Sequence, residues 1–307
     1  MIVVTGGAGA MGLRLVRLLQ ERGDEVCAVG LSADPNARLV EKLGARYRGA
    51  DIRDPSSLVS AFEGATRVAH LAALVVARRQ PELLHAINVE GTRNVLNAAL
   101  SAGVSKFVHV SSISVHYRQQ NGYSRSKRDA EGLVRDSAMD WTILRPTLAW
   151  GDPAALEYAS FARIVAKWPL LPLPERGRAM KSPVHVDDLA CAFATALDPS
   201  VASRMSIDLP GPEQLSLRQM AVRIRRSRGS LGATIPVPRR FSSALVRTHA
   251  AIWRSLGLEP FADWQTWTGL VEDAVPDPGP ARQVLSWNPR PFDPAVEVGP
   301  MARADLV

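Results

Sequence analysis

The first 150 residues alternate between short runs of β-branched residues and longer segments with apolar side chains at every third or fourth position. Runs of the first kind predict strands, and segments of the second kind predict helices. The predicted strands are residues 2–5, 25–29, 45–49, 67–71, 106–111 and 141–145. The predicted helices are residues 11–22, 35–43, 56–62, 81–102 and 123–137. This order predicts an α/β fold, a doubly wound parallel sheet with helices on both faces.

The pattern changes after residue 151, where prolines become frequent and the alternation of strands and helices stops. A helical pattern at 186–197 and a strand pattern at 205–209 return to the first type. The other segments are helical patterns separated by loops. We therefore expect a first domain of residues 1–150 to which residues 182–210 return. A smaller, mostly helical C-terminal lobe would comprise residues 151–181 and 211–307.

Composition excludes several classes of protein. The chain is 46% hydrophobic and 22% charged, which rules out disordered and low-complexity proteins. Its two cysteines, Cys27 and Cys191, cannot form a disulfide framework, and neither belongs to a metal-binding pattern. His70, His109, His185 and His249 are scattered without the spacing of metal ligands. We predict no metal site.

The chain carries a net charge of +7, and of its 37 basic residues only five are lysines. Genomic base composition explains such an arginine content, and an anionic partner is the alternative. No nucleic-acid-binding motif accompanies it, so we predict no nucleic acid partner. The segment 239–256 has apolar and arginine residues at amphipathic spacing. It is interpreted as a lid over an apolar substrate or an interface, with a membrane surface left open as an alternative.

The first residues of the chain show no targeting signal. Residues 1–6 already have the pattern of a strand that enters a turn, where a signal peptide would need a basic and then an apolar stretch. The apolar run at 68–77 is about half of the ~20 residues that a membrane helix needs. We expect a cytoplasmic protein with no membrane span.

A glycine-rich turn joins the first predicted strand to the first predicted helix. Gly6, Gly9 and Gly12 follow the spacing G-x-x-G-x-x-G. Glycine permits a sharp turn and lets a pyrophosphate approach the backbone. The helix that starts at Ala10 and Met11 would supply free N–H groups and a partial positive charge. The turn predicts that residues 1–150 form a dinucleotide-binding Rossmann domain.

The second predicted strand lacks the acidic residue that would bind an adenosine ribose 2′-hydroxyl, because Gly30 occupies its place. Ser32 and Arg38 follow. Because no carboxylate at this position would repel a 2′-phosphate, the sequence favours NADP(H) over NAD(H), with Arg38 as the residue that binds the 2′-phosphate. An ordinary exposed position for Arg38 is the alternative. Asp51 and Ile52 end the third strand, where an adenine amino group would be accepted.

Tyr123 and Lys127 form the pattern Y-x-x-x-K on a predicted helix. Four residues apart, they lie on one helix face. A neighbouring ammonium lowers the pKa of a tyrosine, which then exchanges a proton with a substrate oxygen. The strand at 106–111 ends in serines at the same sheet edge, and Ser112 would orient the reacting oxygen. Ser111 and Ser114 remain alternatives.

These motifs together resemble the extended branch of the short-chain dehydrogenase/reductase superfamily. Residues 5–12 match its glycine turn, 88–92 its N-V-x-G-T helix and 111–116 its catalytic serine segment. Residues 144–146 and 184–188 match later markers. The resemblance covers residues 1–210 well. It is weaker beyond, where 256–260 and 287–290 are similar to C-terminal landmarks.

The resemblance implies roles for further residues. Leu71, Ala72 and Ala73 would line the cofactor, and Asn88 would assist a proton path. Lys181 stands where nucleotide-sugar enzymes carry a diphosphate-binding arginine, so it is a candidate substrate residue. Family dimers pack the helices that correspond to 81–102 and 123–137, which implies a homodimer by analogy.

Three departures from the family pattern affect the substrate site. Only ten residues separate Ser112 from Tyr123, which is a short loop for this branch. His116 and Tyr117 replace the Tyr-Gly pair of the family. Lys181 keeps the charge of the family arginine but lacks its bidentate hydrogen-bonding geometry. We predict an NAD(P)H-dependent oxidoreductase that acts on a ketone or secondary alcohol of a partly apolar small-molecule substrate. A nucleotide-sugar epimerase on the same machinery is one alternative, and a non-catalytic cofactor-sensing or scaffold protein is another.

Overall fold

A computed structural model describes residues 1–76, 80, 82–152, 156–201, 203–256 and 263–296. The predicted helix start at Pro81 and the C-terminal landmark at 257–260 lie outside the described residues, as does Ala77 at the end of the apolar run.

The chain forms thirteen strands among the described residues. In chain order they are β1 Ile2–Thr5, β2 Val26–Gly30, β3 Arg46–Gly49, β4 Arg67–His70, β5 Lys106–Val110, β6 Trp141–Pro146, β7 Ala149–Trp150, β8 Leu170–Pro174, β9 Met180–Lys181, β10 Val184–His185, β11 Met205–Leu209, β12 Leu215–Ser216 and β13 Ala233–Val237. Seven of them form one sheet in the order β11-β6-β5-β4-β1-β2-β3. Every pair in this sheet is parallel, which confirms the predicted doubly wound Rossmann fold.

The helices connect the strands and cover both faces of the sheet. In chain order they are α1 Ala10–Glu21, α2 Ala37–Lys42, α3 Pro55–Leu58, α4 Glu82–His85, α5 Gly91–Ser101, α6 Gly122–Asp136, α7 Leu156–Lys167, α8 Val186–Ala196, α9 Leu217–Ser227, α10 Arg239–Ser255, α11 Trp264–Val271 and α12 Gly279–Leu285. Among the described parts of the chain, none of them is long and apolar enough to cross a bilayer.

Burial on both faces explains the continuous apolar runs of the central strands, since all four residues of β1 are buried. One face packs against α1, α8 and α12, with Leu15, Phe193 and Leu285 in its apolar cluster. The other face packs against α5 and α6, with Val95 and Val134 in a second cluster. The helices on the two faces hold the sheet so that the carboxyl ends of its parallel strands lie at one edge. In folds of this kind the ligand-binding site lies at that edge.

A third apolar cluster lies beyond the sheet, in the C-terminal part of the chain. It contains Trp150, Tyr158, Leu173, Ile224 and Phe292, all at most 4% exposed. Two small sheets border it, β8 with β13 in parallel and β9 with β12 antiparallel. A third pair, β7 with β10, connects this part to the main sheet.

Two predicted helices differ from the observed ones. The long helix predicted at 81–102 is divided into α4 and α5 by a π-helical turn at Ala86–Glu90. This turn carries Asn88 inward, and such turns are frequent at functional sites. The helix predicted at 56–62 is only α3, because Asp54 caps one turn and the chain then turns at Gly64 with a positive φ of 72°.

Candidate active site

The glycine turn between β1 and α1 has the tight geometry that its spacing predicts. Gly6 has a φ of +69°, and a Cβ there would lie 2.8 Å from the backbone nitrogen of Ala72. A Cβ at Gly12 would lie 2.1 Å from the carbonyl oxygen of Gly6. Both positions therefore require glycine, so that the turn, the helix and the segment after β4 can approach one another.

Gly9 has a different role, because it is exposed and a Cβ there would contact only the Gly6 carbonyl oxygen, at 3.2 Å. It is the N-cap of α1, and no side chain caps this helix end. The first-turn N–H groups of the helix, which starts with Ala10 and Met11, are thus free of side-chain acceptors. Such an end binds phosphate oxygens.

The end of β2 shows why no acidic residue stands at Gly30. A Cβ at Gly30 would lie 2.6 Å from the hydroxyl oxygen of Tyr47, and this hydroxyl donates to the carbonyl oxygen of Leu31 at 2.7 Å. Ser32 is exposed and lies against Gly49, and Arg38 is exposed on α2. The tyrosine ring of β3 therefore fills the space of the expected carboxylate.

Asp51 and Ile52 follow β3 at the same sheet edge. Nε of Arg53 lies 3.0 Å from each carboxylate oxygen of Asp51, and these hydrogen bonds hold the pKa of Asp51 below its usual value. Ile52 is buried against Gly91, where a Cβ would lie 2.6 Å from its Cδ1. The Asp51 carboxylate is thus already paired, which leaves its role toward adenine a prediction.

The segment after β4 runs past the glycine turn, with Leu71, Ala72 and Ala73 all partly buried. Asn88 fixes this segment, since its side-chain oxygen accepts from the N–H of Leu74 at 2.7 Å. Its Nδ2 donates to the carbonyl oxygen of Leu74 and to Oγ of Ser126, each at 2.9 Å. Both ends of the Asn88 amide are engaged, so in this geometry it positions the segment against α6.

Ser112 and Tyr123 meet at the carboxyl end of β5. Ser112 caps a 3₁₀ turn, with its Oγ accepting from the N–H of Ser114 at 3.2 Å. Its side chain also lies close enough to the Tyr123 hydroxyl to lower the pKa of that group. Tyr123 is the second residue of α6, whose start is fixed by a capping box between Asn121 and Ser124. The structure therefore brings together the predicted serine and tyrosine.

Lys127 lies one turn after Tyr123 on α6 and is only 2% exposed. Its Nζ donates to the carbonyl oxygen of Val110 at 2.8 Å, at the last residue of β5. Burial lowers the pKa of Lys127 to about 8, against the opposing effect of the Glu131 carboxylate. The ammonium thus lies at the carboxyl end of β5, and it loses its charge as the pH rises through about 8.

Two buried histidines lie under this lysine. The rings of His70 and His109 are 5.3 Å apart. Burial, and to a smaller extent Lys127, lowers the pKa of His70 to about 3, so the imidazole is neutral. Its Nδ1 lies 2.6 Å from Oγ1 of Thr5, and its Nε2 lies 2.9 Å from Oγ1 of Thr92. His70 therefore has a structural role, in which it connects Thr5 of β1 to Thr92 of α5.

The expected lowering of the Tyr123 pKa is not observed. Burial in the crevice and the carboxylate of Glu157 raise the pKa of Tyr123, and the hydrogen bond with Ser112 only partly opposes this rise. The ammonium of Lys127, which was expected to lower it, is instead held by the Val110 carbonyl oxygen. Tyr123 is consequently a protonated group near neutral pH, which is the form of an acid.

Beside Tyr123 lies a group of residues that we call the crevice wall: Tyr117, Glu157, Lys181 and Glu272. Lys181 in this wall is 3% exposed. Its Nζ donates to the carbonyl oxygen of Glu272 at 2.5 Å and lies 5.5 Å from the ring centre of Tyr117. Burial lowers the pKa of Lys181 to about 8, while the carboxylate of Glu157 opposes this shift. A substrate diphosphate contact would require this side chain to leave its present partners.

Three residues of this wall were not predicted as site residues. Glu157 on α7 raises the pKa of both Tyr117 and Tyr123, and Glu272 follows α11. The carboxylate of Glu272 accepts from the N–H of Arg118 at 3.1 Å, which fastens the short loop after Ser112. The replacement of the family glycine by Tyr117 was the one available signal in the sequence.

Comparison with known proteins agrees with this geometry. The chain is 26% identical to a UDP-glucose 4-epimerase of Vibrio cholerae over 77% of this chain and 78% of that enzyme. It is 30% identical to a ceramide reductase of Caulobacter vibrioides over 62% of this chain and 58% of that enzyme. The chain spans only 25% of a longer Mycobacterium tuberculosis relative, which is 28% identical to it.

Solved structures show the same fold. A UDP-glucose 4-epimerase from Thermotoga maritima, determined with UDP-glucose, superposes with a TM-score of 0.74 at 20% identity. The superposition covers 96% of each chain. The family model for NAD-dependent epimerases and dehydratases matches residues 2–206, which include the glycine turn and the Ser112, Tyr123 and Lys127 group. The chain belongs to the NAD dependent epimerase/dehydratase family.

Proposed function

We propose that the chain is an NAD(P)H-dependent oxidoreductase that interconverts a ketone and a secondary alcohol. The observation that carries this proposal is the position of the Ser112 side chain beside the Tyr123 hydroxyl, with Lys127 one helical turn away. A serine and a protonated tyrosine at the carboxyl ends of parallel strands can orient a substrate oxygen and give it a proton. A scaffold protein would not need this arrangement.

The described residues fit a dinucleotide. The exposed backbone at Gly9 and the uncapped start of α1 would hold its pyrophosphate, and the buried ammonium of Lys127 would hold its nicotinamide ribose. A reduced nicotinamide held there would supply the hydride for the substrate carbon. Tyr123 would give its proton to the substrate oxygen, and Ser112 would orient that oxygen as a donor. In oxidation, the ionised form of Tyr123 would take up the proton of the alcohol.

The cofactor we propose is NADP(H) rather than NAD(H). Tyr47 fills the place of the carboxylate that would bind a 2′-hydroxyl, and the exposed Arg38 lies on the helix that follows. The last residue of β2, Gly30, carries no carboxylate to repel a 2′-phosphate, and the nearby carboxylate of Asp34 accepts from the N–H of Asn36. A guanidinium recognises phosphate by charge-assisted hydrogen bonds.

The substrate we propose is partly apolar. Lys181 is engaged by Glu272 and lies near Tyr117, so the crevice wall presents an aromatic ring where a diphosphate-binding group would stand. The relative from Caulobacter vibrioides, a ceramide reductase by name, has a substrate of this kind. By family analogy we further propose a homodimer that packs α5 and α6, where Leu100 of α5 is 45% exposed.

A nucleotide-sugar epimerase is the second candidate, favoured by the relative from Vibrio cholerae, which matches over 77% of this chain. The discriminating experiment follows cofactor absorbance with ketone and UDP-sugar panels in parallel. Net consumption of NADPH with an apolar ketone supports the oxidoreductase. Conversion of a UDP-sugar without net consumption supports the epimerase. If the cofactor binds but neither reaction occurs, the result supports a non-catalytic cofactor-sensing or scaffold protein.

A further inference from the structure

The positive charge of the chain is concentrated in one segment. Residues 214–258 contain nine arginines and no aspartate, glutamate or lysine. Since the whole chain has a net charge of +7, the remaining residues together carry −2. An excess of arginine from genomic composition would be spread over the chain. Four of these nine arginines belong to α10, at 239, 240, 247 and 254, and this helix has no acidic residue, so its charge requires an explanation in the structure.

Helix α10 has an outward apolar stripe. Phe241, Leu245 and Ile252 are 64%, 57% and 52% exposed, and their spacing of four and seven residues places them on one helix face. Leu256, directly after the helix, continues this face and is 66% exposed. Arg240 and Arg247 are exposed on another side of the helix, about 100° or more around its axis from the stripe. The guanidinium of Arg247 lies 4.3 Å from the ring centre of Trp264.

The opposite side of α10 fixes this orientation. Ser242 and Ala250 are buried, and Nε1 of Trp267 on α11 donates to Oγ of Ser242 at 3.1 Å. The guanidinium of Arg239 lies over the ring of Trp267 and pairs with Glu272 at 3.5 Å. The helix is thus attached to the wall that holds Lys181, with its apolar stripe directed away from the molecule.

We propose that this face of α10 docks on an anionic lipid bilayer. An interfacial helix has apolar side chains that enter the acyl boundary and arginines that contact the headgroups. At 17 residues α10 is about 25 Å long, enough to lie in the interface. A second copy of the chain is a poorer occupant, because it would bring two acid-free arginine surfaces together.

The docking proposal does not depend on the proposed oxidoreductase activity, since binding is measured without turnover. It would place the crevice wall at a membrane surface, because Glu272 contacts both Arg239 of α10 and Lys181. An apolar substrate dissolved in the bilayer would then reach the site without crossing water.

The test is co-sedimentation of the full chain with phosphatidylcholine vesicles that contain about one third phosphatidylglycerol. We expect the chain to bind these vesicles at about 0.1 M salt. Its affinity should be at least tenfold lower at about 0.5 M salt, and also at least tenfold lower for vesicles of pure phosphatidylcholine. The double variant Leu245→Asp/Ile252→Asp should bind at least tenfold more weakly. Val59→Asp, at an apolar residue that is 73% exposed beside α3, is the matched control and should bind as wild type.

A second variant guards against misfolding. Arg240→Gln leaves the apolar stripe and the contact of Arg247 with Trp264 intact, and it should weaken binding about fivefold, since each arginine near an anionic surface contributes separately. Absence of wild-type binding would overturn the proposal, as would equal binding to neutral and anionic vesicles. A dimer that forms without lipid and is lost in Leu245→Asp/Ile252→Asp would also overturn it, in favour of a second copy as occupant.

Discussion

At the scale of single residues, we predict that Lys127 makes cofactor binding dependent on pH. Burial lowers its pKa to about 8, so its ammonium is charged below about pH 8 and becomes neutral as the pH rises through that value. A charge-assisted hydrogen bond to the cofactor ribose is lost with the charge. We predict that NADPH affinity falls about tenfold from about pH 7 to about pH 9. Fluorescence titration of the cofactor measures it.

Lys127→Arg provides the control for this prediction, because a guanidinium stays charged throughout this range. Its cofactor affinity should be lower overall but should not change with pH. The buried Lys181 has a similar pKa but lies in the substrate wall, away from the glycine turn, so it should not affect cofactor titrations. Equal wild-type affinities at both ends of the pH range would contradict the role of Lys127.

Arg38 determines the second prediction at this scale. If its guanidinium reads the 2′-phosphate, Arg38→Ala should lower the preference for NADPH over NADH about tenfold. NADH affinity should stay within about twofold, since Arg38 is exposed and supports no buried contact that would fail with it. Calorimetric titration with both cofactors gives the ratio. An unmutated protein that binds both cofactors equally would disprove the NADP(H) assignment.

At the scale of elements, two glycines in helices predict opposite effects of the same substitution. A Cβ at Gly12 of α1 would lie 2.1 Å from the carbonyl oxygen of Gly6, so Gly12→Ala must displace the turn. We expect a loss of stability of about 1–3 kcal/mol and at least tenfold weaker cofactor binding. Urea unfolding and cofactor titration measure the two effects.

Gly132 of α6 is the matched control, because a Cβ there would have no neighbour within 4 Å. Gly132→Ala should raise the free energy of unfolding by about 0.5–1 kcal/mol, as alanine lowers the backbone entropy of the unfolded chain. Cofactor affinity should not change. A neutral or stabilising Gly12→Ala would show that the turn is less closely packed than the structure indicates.

Elements whose residues are buried on both faces could be predicted from the sequence almost to the residue. The observed β1, with all four residues buried, has the predicted bounds of 2–5, and β4 differs from prediction by one residue. The π-helical turn in the predicted helix 81–102 could not be predicted, because its apolar spacing hardly differs from that of an α-helix. Asn88, which this turn directs inward, is fixed by contacts with Leu74 and Ser126.

At the scale of the whole molecule, the candidate site divides into a predictable and an unpredictable half. Tyr123 and Lys127 lie on one helix, and local spacing was enough to pair them. Glu272 reaches the loop after Ser112 across 154 residues of sequence, and only tertiary packing brings them together. The raised pKa of Tyr123 has the same origin, because it depends on burial and on Glu157.

The crevice as a whole yields a prediction about substrates. Lys181 is buried and held by Glu272, so a diphosphate would have to break this contact and displace the side chain from near Tyr117. We expect UDP and dTDP-sugars to bind weakly and apolar ketones to bind more tightly. A thermal-shift screen in the presence of saturating cofactor ranks them. Micromolar binding of UDP alone, in competition with substrate, would favour the epimerase.

The central claim is that Tyr123 gives the proton in hydride transfer. Tyr123→Phe keeps the ring and removes the hydroxyl that lies beside the Ser112 side chain. A positioned general acid typically contributes a factor of about 10²–10⁴ in rate. We therefore predict a fall of at least a hundredfold in kcat, with NADPH affinity and thermal stability close to those of the wild type. Lys127→Met should instead weaken cofactor binding and turnover together.

The deciding measurement is the single-turnover rate of NADPH oxidation in Tyr123→Phe, with cofactor and ketone both saturating, since this rate isolates the chemical step from product release. The account predicts a rate at least about a hundredfold below the wild type. A variant that keeps more than about a tenth of the wild-type rate would show that Ser112, water or the substrate itself supplies the proton. The assignment of Tyr123 would then be wrong, even though the fold and family would stand.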